Sequence, residues 1–340
     1  MTALYPNTKF TLLDRSKRTS DGKTVLPVLE VMNQKIDDFF MDVPFTEANM
    51  GLQHRLVRDT GMADSTKRTF YSGVGASKQN TQTVYEKVQL MERRREIDED
   101  EVDTLSNPET LLRQEDEAQT RKLGEDVVDN FFNGTSEDGS EDMNGLFARL
   151  ASLNPSGLNN VQSLGHSSTG TSALILEWNT DKTGGCFGIY PPGWVKNTSM
   201  GVNIRDKGKE PIADADDTTK KYYAYVAQFK AWMGLAVGNN RKVARLANIN
   251  PTIGGSKAFT NGGAEKLIAL LNSGRFDRSR TRIYVNTTVK TQMDIYALNK
   301  ANVLWSISEV FGKPTTMFQG IPIRVMDTTI ISDSQTLVTA

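Results

Sequence analysis

The sequence predicts an α+β chain, and three observations carry that prediction. A long, mostly polar stretch alternates with period two, one long helix with clear start and stop signals follows it, and the last third alternates helix with strand. At 340 residues the chain exceeds the size at which a single core usually stops growing, so two domains, or one with long extensions, are expected.

Residues 1–25 are polar and carry Gly, Ser and Thr, which suits an extended arm. VLPVLEVMNQKIDDFF (25–40) then places Val28, Val31, Met32 and Ile36 at helical spacing, followed by Phe39, so a short helix fed by an arm is expected. From Gly51 to about Leu90 the period is two. QHRLVRD and TKRTFYS read as short strands, and QTVYEKVQL alternates Val84, Glu86, Val88 and Leu90 against Tyr85, Lys87 and Gln89. The result is a long polar hairpin whose tip is SGVGASKQNT (72–81), with glycines read as serving positive φ.

ERRREIDEDEVD is a dense block of both signs, read as an ion-paired or solvated face. Ser106-Asn107-Pro108-Glu109 is a strong helix start, and the helix can run from Pro108 to Asn133 and stop at Gly134, a length of roughly 40 Å. Its apolar stripe is thin until Leu123, Val127, Val128, Phe131 and Phe132, so only the distal half is expected to be fully packed. GTSEDGSEDMNG is a loop, and 171–245 is largely β. From Gly262, GAEKLIALLN reads as an amphipathic helix, TRIYV as a buried strand, and Asn286 with Thr287 as the cap of TTVKTQMDIYALNK. GIPIRVMD and QTLV are expected to close the chain as strands.

Bulk properties exclude more than they assert. Lys plus Arg number 40 against 41 Asp plus Glu, so no global field favours nucleic acid, a membrane or an acidic substrate, and such partners are met by local patches. The only cysteine, Cys186, cannot form a disulfide within the chain and leaves no thiolate cluster for zinc or iron–sulfur chemistry. The amino terminus lacks a secretory pattern, and no apolar run approaches the roughly 20 residues of a bilayer span. A soluble protein made in the cytoplasm, with no cofactor and no metal, is the expectation.

Four motifs invite a chemical reading and fail it. Gly73-Val74-Gly75-Ala76-Ser77-Lys78 lacks the second glycine directly before lysine that a phosphate loop requires, and strand-like runs flank it where a buried strand and a helix are needed. Gly165-His166-Ser167-Ser168-Thr169 is a near miss of the nucleophile elbow inside a loop-like stretch. Only His54 and His166 are present, too far apart for metal-ligand spacing. Asp214, Asp216 and Asp217 lack the glycine and distal glutamate of a calcium loop. Arg93-Arg94-Arg95 is neutralised by Asp98, Glu99, Asp100 and Glu101. No catalytic constellation survives.

What remains is an arm, a hairpin with too few apolar side chains to order itself, a long half-packed helix and a compact α/β end. Such extensions are usually ordered by neighbouring subunits. This order of elements resembles the major capsid protein of tailed bacteriophages, the Hong Kong 97-like shell fold, and within it short-tailed phages of the epsilon fifteen and Bordetella phage kind. RIYVNTTVKTQMDIYALNK is similar to the strand-then-helix of that family's axial domain. FQGIPIRVMD, with Gly320, Pro322, Ile323, Val325 and Asp327, is similar to its returning strand.

The resemblance implies an amino-terminal arm (1–50), an extended loop (51–92), a peripheral domain with a spine helix (93–145), and a β-rich peripheral/axial region (146–260). An axial domain (261–318) and C-terminal strands returning to the peripheral domain (319–340) complete it. It implies a virion protein, not an enzyme, that self-assembles as hexamers and pentamers into an icosahedral head around double-stranded DNA, which it touches weakly and non-specifically. Because the arm is too short for a built-in scaffolding segment, it further implies a separate scaffolding protein, alongside a portal and a decoration or cement protein, and no membrane partner.

The inter-subunit contact residues expected in the loop are Lys67, Arg68, Phe70, Tyr71 and Lys78, with Asp98, Glu99, Asp100 and Glu101 as the acidic partner run. No covalent crosslink is expected. Although Lys67 and Lys78 lie in the appropriate loop, their asparagine and acidic partners cannot be named. A bacterial nanocompartment shell is the nearer alternative, and a soluble α/β enzyme with its site in the last third is the alternative of a different class.

Overall fold

A computed structural model describes residues 37–62, 64–136, 143–153, 159–181, 184–193, 201–214, 219–298, 305–310 and 313–339. The first part runs α1 (Asp37–Asp42), β1 (Phe45–Glu47), β2 (Gln53–Met62), β3 (Gln79–Lys87), β4 (Gln89–Asp98), α2 (Glu99–Asp103), α3 (Pro108–Asn133) and α4 (Leu146–Arg149). A strand-rich middle follows with β5 (Val161–Ser163), β6 (Thr171–Glu177), β7 (Cys186–Tyr190), β8 (Val202–Ala213), β9 (Lys221–Val237) and β10 (Val243–Ile249). The end alternates α5 (Gly263–Gly274), β11 (Thr281–Asn286), α6 (Thr287–Leu298), β12 (Trp305–Val310), β13 (Lys313–Phe318) and β14 (Ile321–Met326). Two compact units result. One draws its described residues from Leu90–Asp129 and Gly193–Met233, the other from Lys35–Gln89, Asn130–Pro192 and Gly234–Ala340.

The larger unit is built on a seven-stranded mixed sheet in the order β12-β13-β14-β11-β6-β10-β5. Every residue of β6 and of β10 is buried, which is why SALILE and VARLANI read as continuous runs rather than alternations. On one face Ala173, Ile175, Leu246, Ile283 and Val285 pack with Leu267 and Leu270 of α5 and Val289 and Met293 of α6. On the other, Phe39 of α1 sits edge-on to Phe131, Trp178 and Tyr284, with ring centroids 5.5–5.8 Å apart. Asp42, at the end of α1, accepts hydrogen bonds from Arg282 and Arg324 and from the Tyr284 hydroxyl. Thus Phe39 and Asp42, in the segment read as an arm, pack against this sheet.

Asn286 caps α6 as expected: its Oδ1 accepts the Val289 N–H at 2.9 Å, while its amide donates to Thr171 Oγ1, Ile331 O and Asp333 Oδ1. β14 lies parallel beside β11 and forms a hairpin with β13. The division expected at 318 therefore falls inside one sheet, and 261–318 and 319–340 share one unit.

In the smaller unit, β8 pairs antiparallel with the first part of β9, and β4 lies on the other side of β9. α3 spans Pro108–Asn133, the interval the cap signals predict. Ile97, Val102, Leu105 and Leu111 form one apolar cluster flanked by Leu112 and Tyr225, and Leu123, Val127, Val128, Val226 and Phe229 of this unit are buried too. Polar links do much of the joining. Arg95 reaches Asp116 at 2.6 Å and Leu112 O at 3.2 Å, Lys209 holds Glu99 and Asp103, Lys230 holds Glu92, and the Tyr222 hydroxyl meets Glu96.

Several expectations are corrected. TKRTFYS is not a strand, because β2 ends at Met62, β3 begins at Gln79, and no neighbouring strand pairs with the residues between. QTLV is not a strand either; Gln335 and Thr339 make single bridges to Gly170 and Ser152. QTVYEKVQL breaks at Val88, between β3 and β4. Residues 25–36 of the helix expected over 25–40, together with Asp216 and Asp217, lie outside the described residues, while His166 stands in an irregular stretch as read.

Candidate assembly surface

The hairpin is fixed at its root and bare at its tip. β2 and β3 pair antiparallel from Gln53↔Lys87 outward. Alternation puts His54, Leu56, Arg58, Val84, Glu86 and Val88 on the more buried side and leaves Val57 and Tyr85 exposed on the other. At the root, buried Glu86 receives both arms of the Arg149 guanidinium, at 2.8 and 2.6 Å. Arg58 lies 3.6 Å from the same carboxylate and donates to the carbonyls of Val237 and Gly238. Burial lowers the Arg58 pKa, opposed by Glu86. His54 packs edge-on to Phe187 at 5.5 Å, and burial lowers its pKa against the pull of Glu86. Gly234 has no side chain because a Cβ there would strike Lys87 O.

Past Asp59 the grip ends. The register shifts between Asp59 and Gly61, where Gly61 takes φ +122, and Asp59 accepts the Gly61 N–H and the Gln79 side-chain amide, both at 2.8 Å. Those two bonds hold the Asp59 carboxyl below its usual range. Beyond lies the loop 64–78, exposed throughout. Phe70 is 92% exposed and Tyr71 fully so. The hydrogen bonds found there are local, from Ser72 to Thr69 O and from Arg68 to Ser72 O.

The positive φ expected of the glycines belongs to Tyr71, at 68°; Gly73 and Gly75 do not adopt it. Nor does this loop offer a phosphate cradle, since no helix follows it. Among the described residues no group of three or more metal-ligating side chains forms, and no helix is long and apolar enough to cross a membrane.

A sheet-and-long-helix chain with a projecting hairpin is the architecture the resemblance implies, and comparison with known proteins decides the matter. The profile of the family described as Major capsid protein GP7 matches residues 19–338. The chain belongs to that family. It is a structural protein of the tailed-phage capsid shell, part of the virion and not an enzyme. Its fold is similar to a chain of bacteriophage Epsilon15, with a TM-score of 0.72 and 20% identity over 100% of both chains. The bacteriophage JBD30 capsid gives a TM-score of 0.49 at 9% identity, covering 88% of this chain and 91% of that one. The SrpI encapsulin complex of Synechococcus elongatus gives 0.40 at 12%, covering 71% and 96%. No curated protein matches the chain.

Lys67, Arg68, Phe70, Tyr71 and Lys78 all stand on the exposed loop of this capsid protein. The acidic run lies at the end of β4 and in α2. Asp98 caps α2 by accepting the Asp100 N–H, Glu99 is held by Lys209, and Asp100 is exposed. Sequence reading missed the root. Glu86 was visible only as one more polar position in an alternating strand, and its partner Arg149 is 63 residues away.

Proposed function

We propose that this capsid protein builds its icosahedral head from hexamers and pentamers, with each hairpin tip lying across a neighbouring copy. The exposure of Phe70 and Tyr71 carries the reading, because two large rings in water on a loop without a core gain burial only from another surface. Lys67, Arg68 and Lys78 flank them and suit an acidic neighbour. Asp100 is the member of the acidic run best placed to answer, Asp98 and Glu99 being engaged already. Each contact needs only moderate affinity, since a subunit in a closed shell makes several at once.

In this reading 1–50 serves as arm, 51–92 as extended loop, 93–145 as the spine-helix region and 261–318 as the axial region. A separate scaffolding protein, a portal and a decoration protein complete the assembly, and the packaged DNA is touched weakly. Replacing 64–78 with a short Gly-Ser turn tests it. The variant is expected to melt as the wild type does and to form no particles in sedimentation; normal particles would overturn the role of the tip.

A further inference from the structure

Gly73 and Gly75 have no reason to be glycine within their own chain. Neither takes a positive φ, and a Cβ on either would meet nothing within 4 Å. Glycine weakens a segment by its entropy, and within a strand close approach of another backbone is one of the few reasons to keep it.

A matching surface exists on β8. Among the described residues β8 pairs only with β9, so among them its other edge is open. Trp232 N donates to Gly201 O at 2.7 Å, and the register continues through Asn203↔Lys230 and Arg205↔Gln228. Hydrogen-bonded and non-hydrogen-bonded pairs alternate in an antiparallel ladder, so the N–H and C=O groups of Val202 and Ile204 point away from β9. The far half of β8 is blunted as open edges usually are, by a bulge between Asp206 and Gly208, by Lys207, Lys209 and Glu210, and by Pro211. The stretch Val202–Arg205 has no bulge and no proline, and it displays Val202 (36% exposed) and Ile204 (53%) on one face.

We propose that Gly73–Ser77 of one copy adds as a strand to the open β8 edge of a second copy, along Val202–Arg205. The inference rests on the hairpin acting in trans and names the surface that receives it. A second copy is the occupant because this family builds shells from its own chain, and because the glycines remove the side chains that would keep two backbones apart.

Ile204→Pro tests the edge directly. It removes an N–H that β9 does not use, so the melting temperature should stay near wild type while particle yield at a given concentration falls at least about tenfold. Asn203→Pro, which removes an N–H directed at β9, should instead lower the melt. Gly75→Val should fold normally and lose assembly to a similar degree.

Should Ile204→Pro fail to fold, a cysteine pair decides: Ser77→Cys with Val202→Cys should yield disulfide-linked chains in particles, and neither single variant should. Native Cys186 stays silent, being buried with its thiol pKa pushed up to about 12. Normal assembly of Ile204→Pro or Gly75→Val, or particles without the interchain disulfide, would overturn the proposal. If that happens while the Gly-Ser tip still blocks assembly, the hairpin acts in trans at another surface. If the Gly-Ser tip assembles too, both readings fall.

Discussion

The two units differ in where their ion pairs sit: the larger buries a carboxylate in each of several pairs, while many of the smaller unit's lie on half-exposed side chains. Around the seven-stranded sheet, both faces are apolar, two helices and an aromatic cluster cover them, and buried polar groups such as Asn286 and Gln292 have partners inside the unit. In the β4–β8–β9 unit the apolar core, which includes Val102, Leu111, Val128 and Phe229, is supplemented by ion pairs and tyrosine–carboxylate bonds, most of them on partly exposed side chains. Apolar burial is indifferent to salt and mild acid, whereas exposed ion pairs are sensitive to both. Salt and mild acid should therefore act more on the smaller unit's exposed pairs than on the larger unit's core.

The largest expected difference is a cavity. Leu267→Ala empties a position with no solvent exposure between α5 and the sheet, and should cost about 2–5 kcal/mol. Leu111→Ala, in the small cluster, should fall at the lower end of that range because its thinner surroundings can collapse. Calorimetry of the unassembled protein compares them; equal losses would break the contrast between the units.

Next in size is Arg95, 2% exposed yet charged, with Asp116 at 2.6 Å and Asp206 at 3.6 Å. Burial raises the Asp116 pKa, and Arg95 opposes the rise. Arg95→Ala should destabilise the smaller unit by about 2–3 kcal/mol, since it leaves a partly buried carboxylate unpaired and a cavity beside it. Arg95→Met keeps the volume and should lose less. A loss of equal size in both variants would mean that the charge, which both remove, and not packing sets the cost. Hydrogen exchange across 90–129 reads the effect locally.

How much of this was legible in the sequence depends on how far apart the interacting residues lie. The long helix was readable to the residue, because Asn107, Pro108 and Gly134 signal its ends locally; a Cβ on Gly134 would lie 2.6 Å from Asn130 O and 2.8 Å from Met143 O. The Asn286 cap was equally local. TKRTFYS and QTLV misled because a strand is completed by a partner, and nothing within seven residues says that none is there. The exposed tip was legible as a segment too poor in apolar residues to order itself. Its clamp was not, since Arg58, Glu86, Arg149 and the carbonyls of Val237 and Gly238 meet only after folding. The glycines were read for the wrong reason: positive φ falls on Tyr71, which local propensity would place last.

The smallest effect is the most diagnostic of the comparison. Lys209 donates to Glu99 and Asp103, and those bonds, with the Tyr225 contact, raise its pKa, so it stays charged through the whole working range. The Asp103 carboxyl is held below its usual value, first by Lys209 and then by the Tyr225 hydroxyl. A carboxylate whose folded pKa is depressed contributes stability above its unfolded value, 3.8, and loses it as pH falls through the lower folded value. Lys209→Met should therefore lower the melting temperature slightly at neutral pH and low salt. The difference from wild type should fade as pH falls below 3.8 and vanish below the lower folded value, and should vanish also in about 1 M salt, where the screening length is about 3 Å. Leu267→Ala should keep its full deficit under both conditions, because the cavity it leaves has no charge to screen or protonate. If instead the Lys209→Met difference survived high salt and acid, the contact of its ammonium with the Tyr225 ring, 5.0 Å from the centroid, would be what counts, and the solvent sensitivity of the smaller unit would have to rest on its other exposed pairs, such as Glu92–Lys230 and Arg93–Asp126.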